Sequence, residues 1–367
     1  MYYYGKHNLV RVVAPEAHII EQRGDMTPYK FIETIGRTCY KSEDNITDTS
    51  AEKFVTDLYK RRHLAMIEHL WVHVHMNGTA HDLFCIMDAF SNQCLSDYDT
   101  SEPFQWLKHL AVTQTPKGTY ISGPVRVFIE LDLFLHQKGR DFIEETPLGI
   151  PALMHTVSDK FNILFSEDYS FHTYTDVFTY ISEDRLVCDF MRMGLPNSAI
   201  MNHVTHTVHF VCDRGVSHEL VRHREDISFG QESTRYCNYT LTKFDETIAV
   251  IKPFFFERNE DTEDNVLYDD SAYSEWLLSM EHAAKSYFNL LNVYKRSPQE
   301  ARSVLPNSLK TEIILTANET EWQHIINLRY LATTGAPHPQ MKEVMSTAAP
   351  QLVDVSENRL HMTLEGK

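Results

Sequence analysis

A globular fold mixing helices with strands is what the sequence predicts, and three patterns carry the prediction. In residues 69–76, HLWVHVHM, side chains alternate, placing His69, Trp71, His73 and His75 on one strand face and Leu70, Val72, Val74 and Met76 on the other. Tyr273, Trp276, Met280, Ala283, Tyr287, Leu291 and Tyr294 recur at three and four, the spacing of an amphipathic helix whose aromatic residues face a core. The third is bulk: 367 residues at 43% hydrophobic content can bury a substantial interior, and the length allows two or three domains.

The remaining elements follow in order. Thr27-Pro28 starts a helix with Phe31, Ile32, Ile35 and Cys39 on one face, and a second begins near Ser50 with Phe54, Leu58 and His63 at helical spacing. Residues 77–204 are apolar enough to be folded, with helices expected at 81–94 and 104–112 and a strand or helix at 125–135. Val204 to Cys212 reads as a strand, after which Asp213 caps a helix that delivers Arg222, His223 and Arg224 at its end. Residues 225–239 are too polar and irregular for a core element and read as a loop. A strand at 247–253 closes on proline, and Ser297-Pro298-Gln299-Glu300 is a capping box. A strand at 311–317 then leads to a helix started by Asn318, on which Trp322, Ile325, Ile326 and Arg329 share a face.

Composition narrows the function. A formal net charge of -17 argues against a broad nucleic-acid groove, which needs a basic face. No run of about 18 apolar residues exists to span a bilayer, and the N-terminal residues lack the plan of a secretory signal, so the expected address is cytoplasmic. The six cysteines are scattered without a Cys-x-x-Cys pair and read as reduced thiols. His73 and His75, with His203, His206 and His209 in MNHVTHTVHF, invite a metal reading. Alternation alone supplies no matching carboxylate or thiol spacing, and two neighbouring strands with a polar face are the simpler account.

Against this acidic background, residues 213–239, DRGVSHELVRHREDISFGQESTRYCNY, concentrate cations and hydroxyls around a site for a small anion. For Arg302 and Arg329 a guanidinium fork that suits phosphate keeps a functional reading open. Internal salt bridges are the alternative, with 51 acidic residues to choose from. Ser233 has no general base held by a third group, so it is read as a substrate contact rather than a nucleophile.

The order GRTCYKSED, MIEH ending at His69, DRGVSHELVRHR, SFGQESTRYCNY, ARSVLP, TANETEWQHIINLR and APHPQM resembles the flavin-dependent thymidylate synthases over about 1–76 and 205–348. The resemblance implies an α+β fold, helices packed around a mainly antiparallel sheet, formed by 1–76 and 205–350. Residues 77–204 form a large inserted region, and 351–367 a C-terminal tail. It implies methylation of dUMP to dTMP with methylenetetrahydrofolate as carbon donor and NADPH reducing a bound FAD, in a homotetramer that binds neither a nucleic-acid polymer nor a membrane. His69, Arg222, His223, Arg224, Asn318 and His324 would lie against the flavin. Glu219, Gln231, Ser233, Arg235, Arg302 and Arg329 would form the dUMP pocket, with Arg329, Arg235 and Ser233 nearest the chemistry. Two alternatives of other classes are a non-catalytic nucleotide-binding or regulatory homologue and a histidine-rich metal-dependent hydrolase.

The chain departs from the family pattern around this motif. Eight residues separate Arg224 from Ser233 where seven are usual, with the extra one at 225–227, and Gly230 and Gln231 stand where Asn and Glu are usual.

Overall fold

The structure, a computed structural model, describes residues 3–7, 9–22, 26–77, 109–138, 149–165, 177–223, 226–235, 237–256 and 271–363. The helix expected at 81–94 lies outside these residues, as does that at 104–112 up to 108, beyond which the backbone enters a strand.

The strands are β1 (Tyr3–His7), β2 (Val10–Val13), β3 (Glu16–Ile19), β4 (Trp71–Met76), β5 (Ala111–Thr115), β6 (Gly118–Pro124), β7 (Phe178–Ile181), β8 (Thr205–Asp213), β9 (Ile227–Gln231), β10 (Ile248–Ile251) and β11 (Lys310–Asn318). They form three sheets, ordered β1-β2-β10, β3-β8-β11-β9 and β5-β6-β4-β7. Among the described residues every ladder is antiparallel except β10 on β2. The fold is thus α+β, with helices packed on mainly antiparallel sheets.

The sheet β3-β8-β11-β9 organises the site. β11 pairs with β8 along its whole length, from Lys310 opposite Asp213 to Asn318 opposite Thr205. Alternation then sorts β11: Ile313, Leu315 and Ala317 join one core cluster, while Ile314 joins another on the opposite face. The first face carries α5 (Arg214–Leu220), α7 (Glu319–Arg329) and α8 (Pro339–Val355), and the second packs on α1 (Pro28–Tyr40) and α2 (Ala51–Lys60). Residues 109–138 and 149–165, with α3 (Val125–Lys138) and α4 (Gly149–Lys160), share that second core with residues 28–76. The long helix α6 (Ser271–Asn292) covers the β1-β2-β10 sheet.

Local chemistry explains the helix starts. Thr27 Oγ1 accepts from Lys30 N at 3.2 Å with Pro28 in the first turn, and Phe31, Ile32, Ile35 and Cys39 are buried. Ser297 and Glu300 complete the capping box.

Three expectations change. Residues 227–231 form β9 rather than a loop, because the edge of β11 pairs their backbone and Ser228 and Gly230 are small enough to face the buried side. The two histidine runs are not neighbouring strands: β4 lies between β6 and β7, whereas β8 lies between β3 and β11. Tyr294 and His63 fall beyond the helices predicted to hold them, while residues 125–135 take the helical of the two forms expected.

Candidate active site

Asp213 and Asn318 stand at opposite ends of the β8–β11 pair and each caps a helix. Asp213 Oδ1 accepts from Val216 N at 2.7 Å, and Asn318 Oδ1 accepts from Glu321 N at 2.8 Å. The two helices therefore run toward one another over the same face of the sheet, and at about 1.5 Å per residue their C-terminal ends meet above its middle. Glu219 and Arg329 occupy those ends. Gln340, at the start of α8, donates to Asp213 Oδ2 and holds the arrangement from below.

Arg329 is fixed at all three guanidinium nitrogens. Nε donates to His223 Nε2 at 3.0 Å, Nη1 to Glu219 Oε2 at 3.0 Å and Nη2 to the Glu219 carbonyl at 3.2 Å. A guanidinium has no acceptor, so His223 Nε2 must present its lone pair and the imidazole must be neutral, with its proton on Nδ1. Burial, then the charge of Arg329 and then the His324 ring beside it, lowers the His223 pKa to about 4. The exposed His324 ring lies edge-on at 5.9 Å. Arg222 is exposed and forms no ion pair with the described residues, while Arg224 lies outside them.

The nucleotide candidates divide between this corner and a second one. Gln231 Nε2 donates to Ser217 Oγ at 2.9 Å and to Thr311 Oγ1 at 3.3 Å, which ties β9 to the helix carrying Glu219. Beyond it, Ser233 N donates to the Cys39 carbonyl at 3.3 Å. The turn then presents Thr234 to Arg302, whose Nη1 donates to Oγ1 at 3.3 Å, and Arg235 to Gln299, with Nε donating at 3.3 Å. Both arginines are exposed, and Arg302 forms no ion pair with the described residues. The salt-bridge alternative therefore holds for Arg329 and not for Arg302.

His69 sits on the other face of the sheet. It is fully buried, and Nδ1 bonds Thr316 Oγ1 at 2.8 Å. Nε2 lies against the 229–230 backbone with no partner in hydrogen-bonding geometry. Burial lowers its pKa to about 3 and keeps it neutral. Gly230 makes this packing possible: a Cβ there would stand 2.9 Å from Cys39 Sγ and 3.3 Å from His69 Nε2. The site of the usual Asn is thus occupied by α1 and the imidazole.

Two groupings escaped the sequence reading. Glu312 and Lys310, two apart on β11, join Lys41, Glu232 and His209 in a buried charge network beneath residues 231–235. Their spacing on one strand face was visible, but the partners come from three other segments. In the second, Ser122 Oγ bridges His73 Nδ1 at 2.8 Å and His203 Nδ1 at 2.7 Å, which joins the histidine runs through a hydroxyl. Among the described residues no three His, Cys, Asp or Glu side chains gather as metal ligands. No helix of the described residues is long and apolar enough to cross a membrane.

Comparison with known proteins places the chain in a family. Residues 165–356 match the family of thymidylate synthase complementing proteins, Thy1. A flavin-dependent thymidylate synthase of Corynebacterium diphtheriae is 32% identical over 155 residues, 40% of this chain and 57% of that protein. One of Pyrococcus abyssi is 29% identical over 159 residues, 42% and 59% of the two chains. The chain thus spans a little over half the length of the curated relatives it matches. A UMP/dUMP methylase from Streptomyces cacaoi, solved with 5-Br dUMP, is 20% identical and covers 48% of this chain and 78% of its own, at a TM-score of 0.36, too slight a likeness to carry weight. The family match takes in β8, β9, β11 and every candidate from Glu219 to Arg329: the chain belongs to the Thy1 family, that of the flavin-dependent thymidylate synthases.

Proposed function

We propose that the protein methylates dUMP to dTMP, taking the carbon from methylenetetrahydrofolate and using a bound FAD that NADPH reduces. The observation that carries this reading is the pairing of an immobilised guanidinium, Arg329, with two exposed ones, Arg235 and Arg302, joined through β9 and the 231–235 turn. Uracil carbon-5 becomes nucleophilic only when charge developing on the ring oxygens is stabilised. Donors already fixed in place do this without reorganising. Arg329 meets that requirement, and the Glu219 carboxylate beside it can accept the ring N–H. The phosphate suits Arg235 and Arg302, exposed beside the Ser233 hydroxyl.

The flavin side is assigned to His69, Arg222, His223, Arg224, Asn318 and His324. One feature of the described residues suits such a group, the exposed cation at Arg222, whereas the His69 imidazole is packed inside the protein against the 229–230 backbone. The bound flavin would supply hydride transfer, which no side chain can supply. The protein's own part is to hold the base against Arg329, to keep His223 neutral as its acceptor, and to keep the phosphate away from the reacting carbon. A homotetramer in the cytoplasm, with no nucleic-acid polymer as partner, completes the proposal.

The test is dTMP formation from dUMP by the purified chain with FAD, NADPH and methylenetetrahydrofolate, beside Arg329→Ala. Turnover in the parent and its collapse in the variant are expected. Binding of dUMP without NADPH oxidation or dTMP would instead identify a non-catalytic nucleotide-binding homologue.

A further inference from the structure

Between Gln231 and Ser233, both assigned to the nucleotide, Glu232 turns the opposite way and is buried to 3% exposure. Its backbone N–H donates to the Glu312 carbonyl at 2.8 Å, extending the β9–β11 pairing by one residue. Its carboxylate reaches two places at once. Oε2 stands 3.1 Å from Lys310 Nζ, an ion pair without a formed hydrogen bond, and Oε1 accepts from Cys237 Sγ at 3.6 Å and Tyr239 OH at 3.5 Å. Lys310 reaches Glu312 Oε1 at 2.5 Å, and the same oxygen meets Lys41 Nζ at 2.6 Å, while His209 Nε2 lies 3.0 Å from Oε2.

These contacts bracket the 233–235 turn. Upstream it is fastened to β11 through Glu232 and Lys310. Downstream it is fastened through Cys237 and Tyr239, and the Cys237 N–H closes it on the Ser233 carbonyl at 3.1 Å. Lys41 adds the end of α1, whose Cys39 carbonyl receives the Ser233 N–H. One carboxylate thus joins both ends of the segment that presents Ser233, Thr234 and Arg235, yet it faces away from the site and cannot touch a ligand there. Burying a carboxylate is costly unless a partner compensates it, and Lys310 supplies that partner.

We infer that Glu232, held by Lys310, is a positioning residue for the nucleotide site: it sets the placement of Ser233 and Arg235 and thereby the affinity for the nucleotide's phosphate. The inference rests on the proposed dUMP reaction for its kinetic readout and on the contacts above for its structural one.

A variant with only Lys310→Met strands a buried charge and can fail to fold, so the decisive protein is Glu232→Gln/Lys310→Met, which removes both charges and keeps side-chain volume. Melting temperature, KM and kcat for dUMP, and amide hydrogen exchange of residues 233–239 are compared with the parent. A melting temperature within a few degrees of the parent's is expected, with KM for dUMP raised at least tenfold, kcat within threefold, and exchange in 233–239 at least tenfold faster. A double variant that melts like the parent and retains its KM and exchange would reduce the network to core filling and overturn the inference. A fall in kcat with KM unchanged would overturn it as well, by placing Glu232 in the chemical step. Should the parent neither bind nor convert dUMP, the proposed function falls by itself, and the exchange of 233–239 still decides whether Glu232 and Lys310 hold the turn.

Discussion

Arg329 and Arg302 were candidates for one pocket, but the fold treats them in opposite ways. Arg329 ends a helix on the apolar face of the central sheet, and each of its nitrogens is engaged by Glu219 or His223. Arg302 is exposed and leans on a neutral hydroxyl, that of Thr234. A guanidinium clamped by a carboxylate has lost its side-chain freedom before any ligand arrives and is suited to stabilising charge that appears during a reaction. An exposed one with no carboxylate partner keeps its full charge for an anion. Under the proposed reaction, this difference divides the work of the two corners between chemistry and capture.

Removing the clamped arginine is the most severe way to test that division. Arg329→Ala should lower kcat/KM for dUMP by the equivalent of on the order of 2–5 kcal/mol, since it withdraws a desolvated charge and leaves Glu219 half-buried without its partner. Arg329→Lys should recover little, because an ammonium cannot engage Glu219 and His223 together. Turnover at the parental rate in Arg329→Ala would abolish the distinction between the corners.

At the open corner the expected loss is smaller and of another kind. Arg302→Ala and Arg235→Ala should each raise KM by about tenfold, on the order of 1.4 kcal/mol, with kcat and melting temperature little changed. Deoxyuridine, which has no phosphate, should bind parent and variants alike. Equal effects on nucleotide and nucleoside would remove the phosphate from this corner.

Sequence reading reached the open corner more easily than the clamped one. Local signals announced the caps: Asp213, Asn318 and the Ser297–Glu300 box depend on residues three apart, and all three are formed. Arg329 was flagged because a charge on an apolar helix face demands a partner, but the partner, Glu219, is 110 positions away, and the register that joins them is set by β8 and β11. β9 was missed because its strand character is borrowed from the edge of β11 rather than encoded in alternation. The histidine runs misled for a related reason. Each is a strand, but their meeting point, Ser122, lies in a segment with no motif of its own.

Gly230 lies on the strand that joins the corners, and replacing it perturbs their spacing without touching either. Gly230→Ala should destabilise the fold by about 1–2 kcal/mol, because its Cβ would press on Cys39 Sγ at 2.9 Å and on Ile35 at 3.2 Å inside a packed core. Adding Cys39→Ala should recover part of that loss, as read by urea unfolding. A Gly230→Ala protein as stable as the parent would show that α1 yields, and the departure from the usual Asn would lose its packing explanation.

The finest test uses pH, to which the clamped corner should respond more than the open one. His223 has a folded pKa of about 4 against an ordinary value of 6.5, so between these values the unfolded chain binds more protons than the folded one. Its contribution therefore favours the fold above about 6.5 and is lost as pH falls toward 4, at no more than about 1.4 kcal/mol per pH unit. His69, His73 and His203, lowered to about 3, 4 and 3 by burial, act in the same direction and set a background slope. His223→Gln keeps an acceptor for the Arg329 Nε–H but removes the titration, so urea unfolding from pH 7 to 4 should give a shallower dependence than in the parent. Arg302→Ala should leave the slope as it was. Coincident slopes for His223→Gln and the parent would mean that His223 takes up its proton without disturbing Arg329, and the clamp would then owe its hold to Glu219 alone.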